Sequence, residues 1–171
     1  MALVELYRET RSNRYLEQAA HFLEARGHGF LEGGRLGLSY YLDHRPLRDL
    51  DQATGHVVRA LYALCGATDL YLENGDRGLL ATLDRLWTRM VARQLYVSGG
   101  IGARRDTESF GDDLELPNRT ACSETCAAVA SVMWAQRMLA ATGDARYADL
   151  IEWTLYNALL VGWSLDGEGY A

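Results

Sequence analysis

The sequence predicts an all-α protein of paired helices, arranged as part of an α/α toroid. Three observations lead to this fold class. Apolar residues recur at three- and four-residue spacing through most of the 171 residues, which is the period of an amphipathic helix. The chain contains only two prolines, so few helices are expected to be interrupted. A helix–turn–helix pattern also recurs along the chain, as it does in stacked arrays of helix pairs.

The recurring pattern is carried by three stretches: ETRSNRYLEQA, ENGDRGLLATL and ATGDARYADLI. Each ends one helix, turns through polar residues or glycine, and begins the next helix with an aliphatic or aromatic pair. Tyr15 and Leu79 are 64 residues apart, and Leu79 and Tyr147 are 68 apart. This period fits two helices with their connections, so the chain should hold roughly half of a twelve-helix ring.

The individual helices are predicted from apolar stripes and end signals. NRYLEQAAHFLEARG is the first, with Gly27 as its C-terminal stop. GHVVRALYALCGATDLYLE and DRGLLATLDRLWTRMVARQ follow, the latter with Asp76 as N-cap. CAAVASVMWAQRMLAATG and ARYADLIEWTLYNALLVGW form the last pair, divided at Gly143. Residues 27–49 and 97–119 are irregular, and RQLYVSGG before the second is predicted to hold a short strand. Loops of this kind are expected to lie on one rim of the array, and loops often carry binding and catalytic residues.

Composition excludes several classes of function. The 17 basic and 23 acidic residues give a net charge of −6, and no Lys/Arg run marks a nucleic-acid face. No apolar stretch is long enough to span a bilayer, and the charged N-terminus is unlike a secretory signal. Three cysteines, an odd number, argue against a disulfide framework. We therefore expect a cytoplasmic protein with no nucleic-acid or membrane partner.

Glu108 is a candidate general acid in the carboxylate-rich second irregular stretch. A general acid needs a carboxyl group whose pKa is raised by apolar surroundings or a like charge. Phe110 and the flanking glycines are expected to supply such a pocket. The alternative is a solvated acidic loop, which these residue types alone favour, because Asp and Glu are rarely buried.

SETC places Glu124 and Cys126 two residues apart where this loop runs into a helix. On an extended segment both side chains point the same way and can bind one ion, but on a helix they diverge by about 200°. Zinc prefers four ligands, so the pair is at most a half-site. The alternative, favoured by spacing alone, has Glu124 at the positive helix end and Cys126 in the core.

His56 is the candidate among the four histidines of the chain. It follows Gly55 at a predicted helix start, in ATGHVVRALY. From that position it can project into a pocket. A satisfied structural histidine is the alternative.

Three ordered segments resemble the central block of the β-L-arabinofuranosidase family, glycoside hydrolase family 127. They are DHRPLRDLDQATGHVVRALY, YVSGGIGARRDTESFGDDLELPNRTACSETCAAVASVMWAQRML and TGDARYADLIEWTLYNALLVGWSLDG. The resemblance covers nearly the whole chain. It implies an (α/α)6 barrel, with residues 1–171 forming one partial catalytic domain and no second domain. It also implies a carbohydrate substrate, a β-L-arabinofuranoside or a related sugar.

The resemblance assigns roles to the candidate residues. The Glu of the family's GExFG-like motif is the general acid/base, and TESFG places it on Glu108. The Glu and Cys of the family's ETC motif bind zinc, which implies Glu124 and Cys126 here. The His of the GHxVRA motif lines the sugar pocket, which implies His56. The expected cofactor is therefore zinc, with only half of its site in this chain.

The chain departs from the family pattern in one respect that bears on activity. The family nucleophile of retaining hydrolysis is a zinc-bound cysteine from a Cys-Cys pair much further along, and this sequence lacks that pair. We therefore expect a central fragment of a longer enzyme, inactive alone. Arg104, Arg105 and Asp106 also differ from the family's commoner residues, which leaves the sugar open.

Two other interpretations of the chain stay open. Helical toroids also host sugar epimerases and unsaturated-uronide hydrolases, neither of which needs this Glu-x-Cys pair. A non-catalytic half-ring would instead bind its missing half or itself through exposed apolar edges. Self-association through these edges is accordingly a prediction.

Overall fold

The computed structural model describes residues 1–169, and within that range it contains helices and no β-strand. The helices are α1 (Ala2–Thr10), α2 (Asn13–Ala25), α3 (Val57–Asn74), α4 (Arg77–Arg93), α5 (Thr125–Thr142) and α6 (Ala145–Thr154). A π-helical turn (Leu155–Leu159) and a 3-10 turn (Leu160–Gly162) continue α6. None of the described helices is long and apolar enough to cross a membrane. Tyr170 and Ala171 of the predicted domain lie outside the described residues.

The predicted repeat is confirmed as three helix hairpins that close with the same two-residue turn. In each turn the first residue has a left-handed backbone and donates its N–H to a carbonyl four residues back; these residues are Arg11, Gly75 and Gly143. The second residue is the N-cap of the following helix: Ser12, Asp76 and Asp144. Tyr15, Leu79 and Tyr147 each occupy the third position of the following helix.

The three turns lie at one end of the helix array, which we call the turn rim. The first helices of the hairpins run in the same direction, as the ion pairs between their C-terminal halves show. Arg8 of α1 binds Glu73 of α3 at 2.6 Å, and Arg137 of α5 binds Asp69 of α3 at 2.9 Å. These pairs hold α1, α3 and α5 side by side.

The opposite end, which we call the loop rim, is formed by residues 26–56 and 94–124. Each of these connections is 31 residues long. They are joined to each other through the backbone, since the N–H of Phe110 donates to the carbonyl of Gly55 at 3.0 Å. The prediction that the long loops share one rim is therefore confirmed.

The apolar core lies mainly between the second and third hairpins. Trp87 of α4 packs edge-on against Trp134 of α5 and Tyr147 of α6, with ring centroids 5.1 and 4.6 Å apart. Trp134 and Tyr147 are fully buried, and Trp134 donates its Nε1–H to Thr68 Oγ1 of α3 at 3.1 Å. In the first hairpin, by contrast, Val4 is the single buried residue of the two helices. The first hairpin is therefore the loosely packed side of the described array.

The short strand predicted in RQLYVSGG is wrong. The N–H of Tyr96 donates to the carbonyl of Gly100 at 2.9 Å, and the N–H of Gly99 donates to the carbonyl of Tyr96 at 2.8 Å. The chain therefore reverses direction at once, and an isolated bridge between Leu95 and Ile101 takes the place of a ladder.

Candidate active site

The loop rim brings His56 and Glu108 together from the two connections. His56 is the N-cap of α3, and its Nδ1 accepts the N–H of Arg59 at 3.5 Å. Its Nε2 lies 3.0 Å from Oε2 of Glu108. Glu108 has a left-handed backbone with φ of 49°, and its carbonyl accepts the N–H of Val57 at 3.0 Å. Two residues taken from separate motifs thus form one pair.

The apolar pocket expected around Glu108 is absent from the described residues. Phe110 is 3% exposed because it packs into the core, whereas the side chain of Glu108 is 51% exposed. The two side chains therefore point to different surroundings. Glu108 faces the open side of the loop rim, where a bound molecule can reach its carboxyl group.

Three carboxylates of the second connection, Asp112, Asp113 and Glu115, are ion-paired at the surface, which agrees with the alternative of a solvated acidic loop and adds arginine partners to it. Arg104 holds Glu115 through two bonds of 2.9 and 2.6 Å and contacts Asp112 at 3.0 Å. Hydrogen bonds from Arg104 and from the N–H of Asp112 lower the pKa of Glu115. Arg89 binds Asp113 at 2.9 Å. Exposed pairs contribute little to stability, but these close the loop that carries Glu108.

Glu124 and Cys126 converge at an irregular start of α5. Ser123 has a left-handed backbone with φ of 41°, and Glu124 is the N-cap in an extended conformation. The thiol of Cys126 donates to Oε2 of Glu124 at 2.8 Å. Cys126 is exposed, so the alternative that buried it in the core is wrong. The thiol and the carboxylate therefore lie side by side at the start of α5.

Cys122, for which the sequence analysis predicted no role, lies beside this pair. Partial burial and a hydrogen bond to Glu124 raise the pKa of Cys122 to about 11, with smaller contributions from the charges of Glu108 and Cys126. Partial burial and the same carboxylate raise the pKa of Cys126 to about 11. These surroundings favour the protonated form of both thiols at neutral pH, and a bound cation would reverse this preference.

These donors fit half of a zinc site. A thiol and a carboxylate are both zinc ligands, and protein zinc sites use at least three such side chains. Within residues 1–169, no group of three or more His, Cys, Asp or Glu side chains is placed to hold a metal ion. To hold a zinc ion, Glu124 and Cys126 would therefore need further ligands from outside the described residues.

Gln94, which the sequence analysis missed, ties the two connections together. Its side chain is buried, and Nε2 donates to the carbonyls of Ala53 at 3.0 Å and Gly111 at 3.1 Å. Gln94 lies four residues after the buried Met90 of α4. A polar residue in register with a buried apolar stripe was the available signal.

Asp43 anchors the first connection and was also missed. It is 2% exposed, and its carboxylate accepts the N–H groups of Gly27 at 2.8 Å and Leu31 at 2.7 Å. The N–H of Leu31 lowers the pKa of Asp43 against the opposing effect of burial, and the N–H of Gly27 adds to the lowering. In sequence, a single Asp in a loop gives no sign of this role.

A polar groove of about 380 Å³ lies between the two connections, lined by the residues on either side of Glu108 but not by Glu108 or His56. The side chains that line it include Tyr40, Gln52, Thr54, Arg104, Thr107 and Ser109. Tyr40 also packs edge-on against His56, with ring centroids 6.1 Å apart. Hydroxyl, amide and aromatic groups around a cleft of this size are suited to a small polar ligand.

Comparison with known proteins identifies the family. The family model for the β-L-arabinofuranosidase GH127 catalytic domain matches residues 1–171. A non-reducing end β-L-arabinofuranosidase from Bifidobacterium longum subsp. longum is 37% identical over 186 residues, which cover 99% of this chain and 28% of that protein. The chain therefore belongs to the GH127 family.

Two solved structures give the same result. A GH127 β-arabinofuranosidase superposes with a TM-score of 0.91 at 42% identity, over 100% of this chain and 26% of that one. A GH127 β-L-arabinofuranosidase from Geobacillus stearothermophilus T6 superposes with a TM-score of 0.91 at 37% identity, over 99% of this chain and 29% of that one. GH127 proteins are (α/α)6 barrels, so the predicted fold class is confirmed. The chain spans less than a third of the length of these relatives.

Proposed function

We propose that this chain carries the general acid/base and two zinc ligands of a retaining GH127 β-L-arabinofuranosidase. The observation that carries the proposal is the presence of the His56–Glu108 and Glu124–Cys126 pairs on the same rim. The named relatives are described as β-arabinofuranosidases. The polar groove between the two connections, lined by Thr107 and Ser109, has a size and polarity that suit a sugar. The substrate class is a β-L-arabinofuranoside or a related glycoside.

Glu108 has the exposure that proton transfer to a bound sugar requires. As general acid it protonates the departing glycosidic oxygen, and as general base it then takes a proton from the incoming water. His56 lines the sugar pocket beside it. Glu124 and Cys126 would hold zinc, which keeps a cysteine ligand in its thiolate form.

We also propose that the 171-residue chain is inactive alone. The family nucleophile comes from an adjacent pair of cysteines, whereas Cys65, Cys122 and Cys126 are all separated in sequence. Cys65 is buried in the core, and burial raises its pKa to about 12.

All three thiols are free, which supports a reducing compartment such as the cytoplasm.

A chimaera tests the activity. This chain replaces the matching segment of the G. stearothermophilus relative, and release of L-arabinose from a β-L-arabinofuranoside is measured. We expect turnover, and a fall in kcat of about 10²–10⁴-fold for Glu108→Gln. Glu17→Gln, the same chemical change at an exposed position of α2, is the matched control and should leave kcat almost unchanged. Full activity of Glu108→Gln would refute the role of Glu108. Turnover by the 171-residue chain alone would refute its inactivity.

The other barrel chemistries, sugar epimerisation and unsaturated-uronide hydrolysis, predict a different result for Cys126. In the chimaera, Cys126→Ser should abolish hydrolysis if this residue is a zinc ligand. Unchanged activity in that variant would favour a reaction that needs no thiol–carboxylate pair.

Self-association of the isolated chain is supported by large exposed apolar side chains in the first and the last hairpins and in the segments that follow them. Phe22 of α2 and Phe30 after it are 60% and 75% exposed. Trp153 of α6 and Trp163 after it are 52% and 59% exposed. We expect light scattering to show species larger than the monomer. A monodisperse monomer with little binding of a hydrophobic dye would contradict this expectation.

A further inference from the structure

The hydrogen bonds of His56 fix which ring nitrogen carries the proton. Nδ1 faces the backbone N–H of Arg59 as the cap of α3, at 3.5 Å. A backbone N–H can only donate, so Nδ1 must present its lone pair. The neutral ring therefore carries its proton on Nε2. In the imidazolium both nitrogens donate, which would set one N–H against another at the cap.

The same tautomer determines how Glu108 is held. Nε2 lies 3.0 Å from Oε2 of Glu108, and an ionised carboxylate can only accept. The bond therefore runs from Nε2–H to Oε2. Among the described residues no hydrogen-bond donor is paired with Oε1, and the side chain of Glu108 is 51% exposed.

Further contacts keep the pair in place. The N–H of Val57, the residue after His56, donates to the carbonyl of Glu108 at 3.0 Å. Tyr40 packs edge-on against the imidazole, and the guanidinium of Arg59 lies 5.8 Å from the ring of Tyr40. The ring is therefore restrained by its cap, by Tyr40 and by Glu108.

We propose that His56 is a positioning residue whose place at the N-cap of α3 fixes the Nε2–H tautomer, binds Oε2 of Glu108 and leaves Oε1 as the proton-transferring oxygen. This inference rests on the proposed acid/base role of Glu108. Both nitrogens of His56 are occupied, so the ring does not itself accept the proton. The cap and the carboxylate belong to different connections, and the fold brings them together. The same imidazole that caps α3 therefore also orients the acid/base.

Nitrogen-15 NMR of the histidine side chains in the full chain, at neutral pH, tests the tautomer directly. We expect His56 to show an unprotonated Nδ1 and a protonated Nε2 whose proton exchanges slowly with water. His21, exposed on α2, is the internal control and should show averaged nitrogens. Glu108→Ala should accelerate exchange of the Nε2 proton at least tenfold. A proton on Nδ1, averaged nitrogens at His56, or unchanged exchange in Glu108→Ala would overturn the proposal.

Two substitutions separate capping from positioning. Asparagine is a favoured N-cap, but its side chain is too short to span the distance to Glu108. In His56→Ala the amide of Arg59 should exchange about fivefold faster, the factor expected for loss of a typical cap. In His56→Asn that amide should keep its protection. Unchanged exchange at Arg59 in His56→Ala would show that Nδ1 does not cap α3, and would overturn the proposal.

These measurements need neither zinc nor sugar. A locked tautomer in a protein whose chimaera shows no hydrolysis would refute the proposed activity and leave the hydrogen-bond arrangement standing. Turnover together with averaged His56 nitrogens would refute the positioning role alone.

Discussion

The two rims of this helix array are built in opposite ways. At the turn rim each hairpin closes in two residues, whereas at the loop rim each connection takes 31. Among the described residues, the non-glycine residues with positive φ in the connections are Glu32, Leu42, Glu108, Leu114 and Ser123, and Arg11 is the one in a turn. Backbone strain thus accumulates where Glu108 and Glu124 lie. The turn rim therefore sets the repeat, whereas backbone strain is concentrated at the loop rim beside the candidate site residues, as it commonly is at functional sites.

The largest expected effect is that of Gly55→Ala at the loop rim. A Cβ there would lie 2.3 Å from the carbonyl oxygen of Tyr40, whereas a Cβ at Gly75 on the turn rim meets nothing within 4 Å. The two glycines have similar φ, +76° and +68°. We expect urea denaturation to show a loss of about 1 kcal/mol for Gly75→Ala, from the backbone alone. Gly55→Ala should cost more than about 3 kcal/mol because of the added clash. Equal losses would break the comparison.

The next effect is expected from Gln94→Leu, which removes the link between the two connections. The carbonyls of Ala53 and Gly111 would lose their donor in a buried site, at a cost of about 2 kcal/mol. Gln136→Leu, on the exposed face of α5, is the control and should change stability by less than about 0.5 kcal/mol. Indistinguishable denaturation midpoints would show that Gln94 does not hold the loop rim.

Asp43 makes the stability of the loop rim depend on pH. Its folded pKa is lowered, first by the N–H of Leu31, so its contribution is fully present above the unfolded pKa of about 3.9. That contribution is lost as the pH falls through the folded pKa. Asp43→Asn should therefore be less stable than the wild type at neutral pH, and the difference should shrink below about pH 4. Asp106→Asn, an exposed change in the other connection, should track the wild type. A constant difference at all pH values would contradict the linkage.

The smallest effect is expected at the turn rim, where Arg11 occupies the position that glycine fills in the other two turns. Its φ of 56° strains a residue with a Cβ. Arg11→Gly should raise the free energy of unfolding by about 0.5–1 kcal/mol. A thermal melt that shifts downwards would show that the side chain of Arg11 contributes more than the backbone strain costs.

The turn rim was readable from the sequence because its signals are local. Gly143 and Asp144 are by themselves typical of a helix end and a helix start. The repeat predicts the same turn at Arg11, where no glycine marks it. The pairing of His56 with Glu108 was not readable. The two residues are 52 positions apart, and their contact depends on how two long connections pack. Phe110 was misjudged for the same reason, since proximity in sequence to Glu108 did not place both side chains in one pocket.

Glu124 and Cys126 fall between these two cases. Their spacing is useful for metal binding only on an irregular helix start, and the left-handed Ser123 that creates that start carries no residue-type signal. A non-glycine residue with positive φ is uncommon, so sequence alone favoured the ordinary helix. Resemblance to the family, rather than spacing, pointed to the pair.

The central claim is that Glu124 and Cys126 at the loop rim are half of a zinc site. Elemental mass spectrometry of the chimaera described above tests it most directly, after purification in metal-free buffer with one equivalent of zinc returned. We predict one zinc per chain, lost in Cys126→Ser and kept in Cys65→Ala, whose thiol is buried in the core. Zinc retained at full stoichiometry in Cys126→Ser would contradict the account.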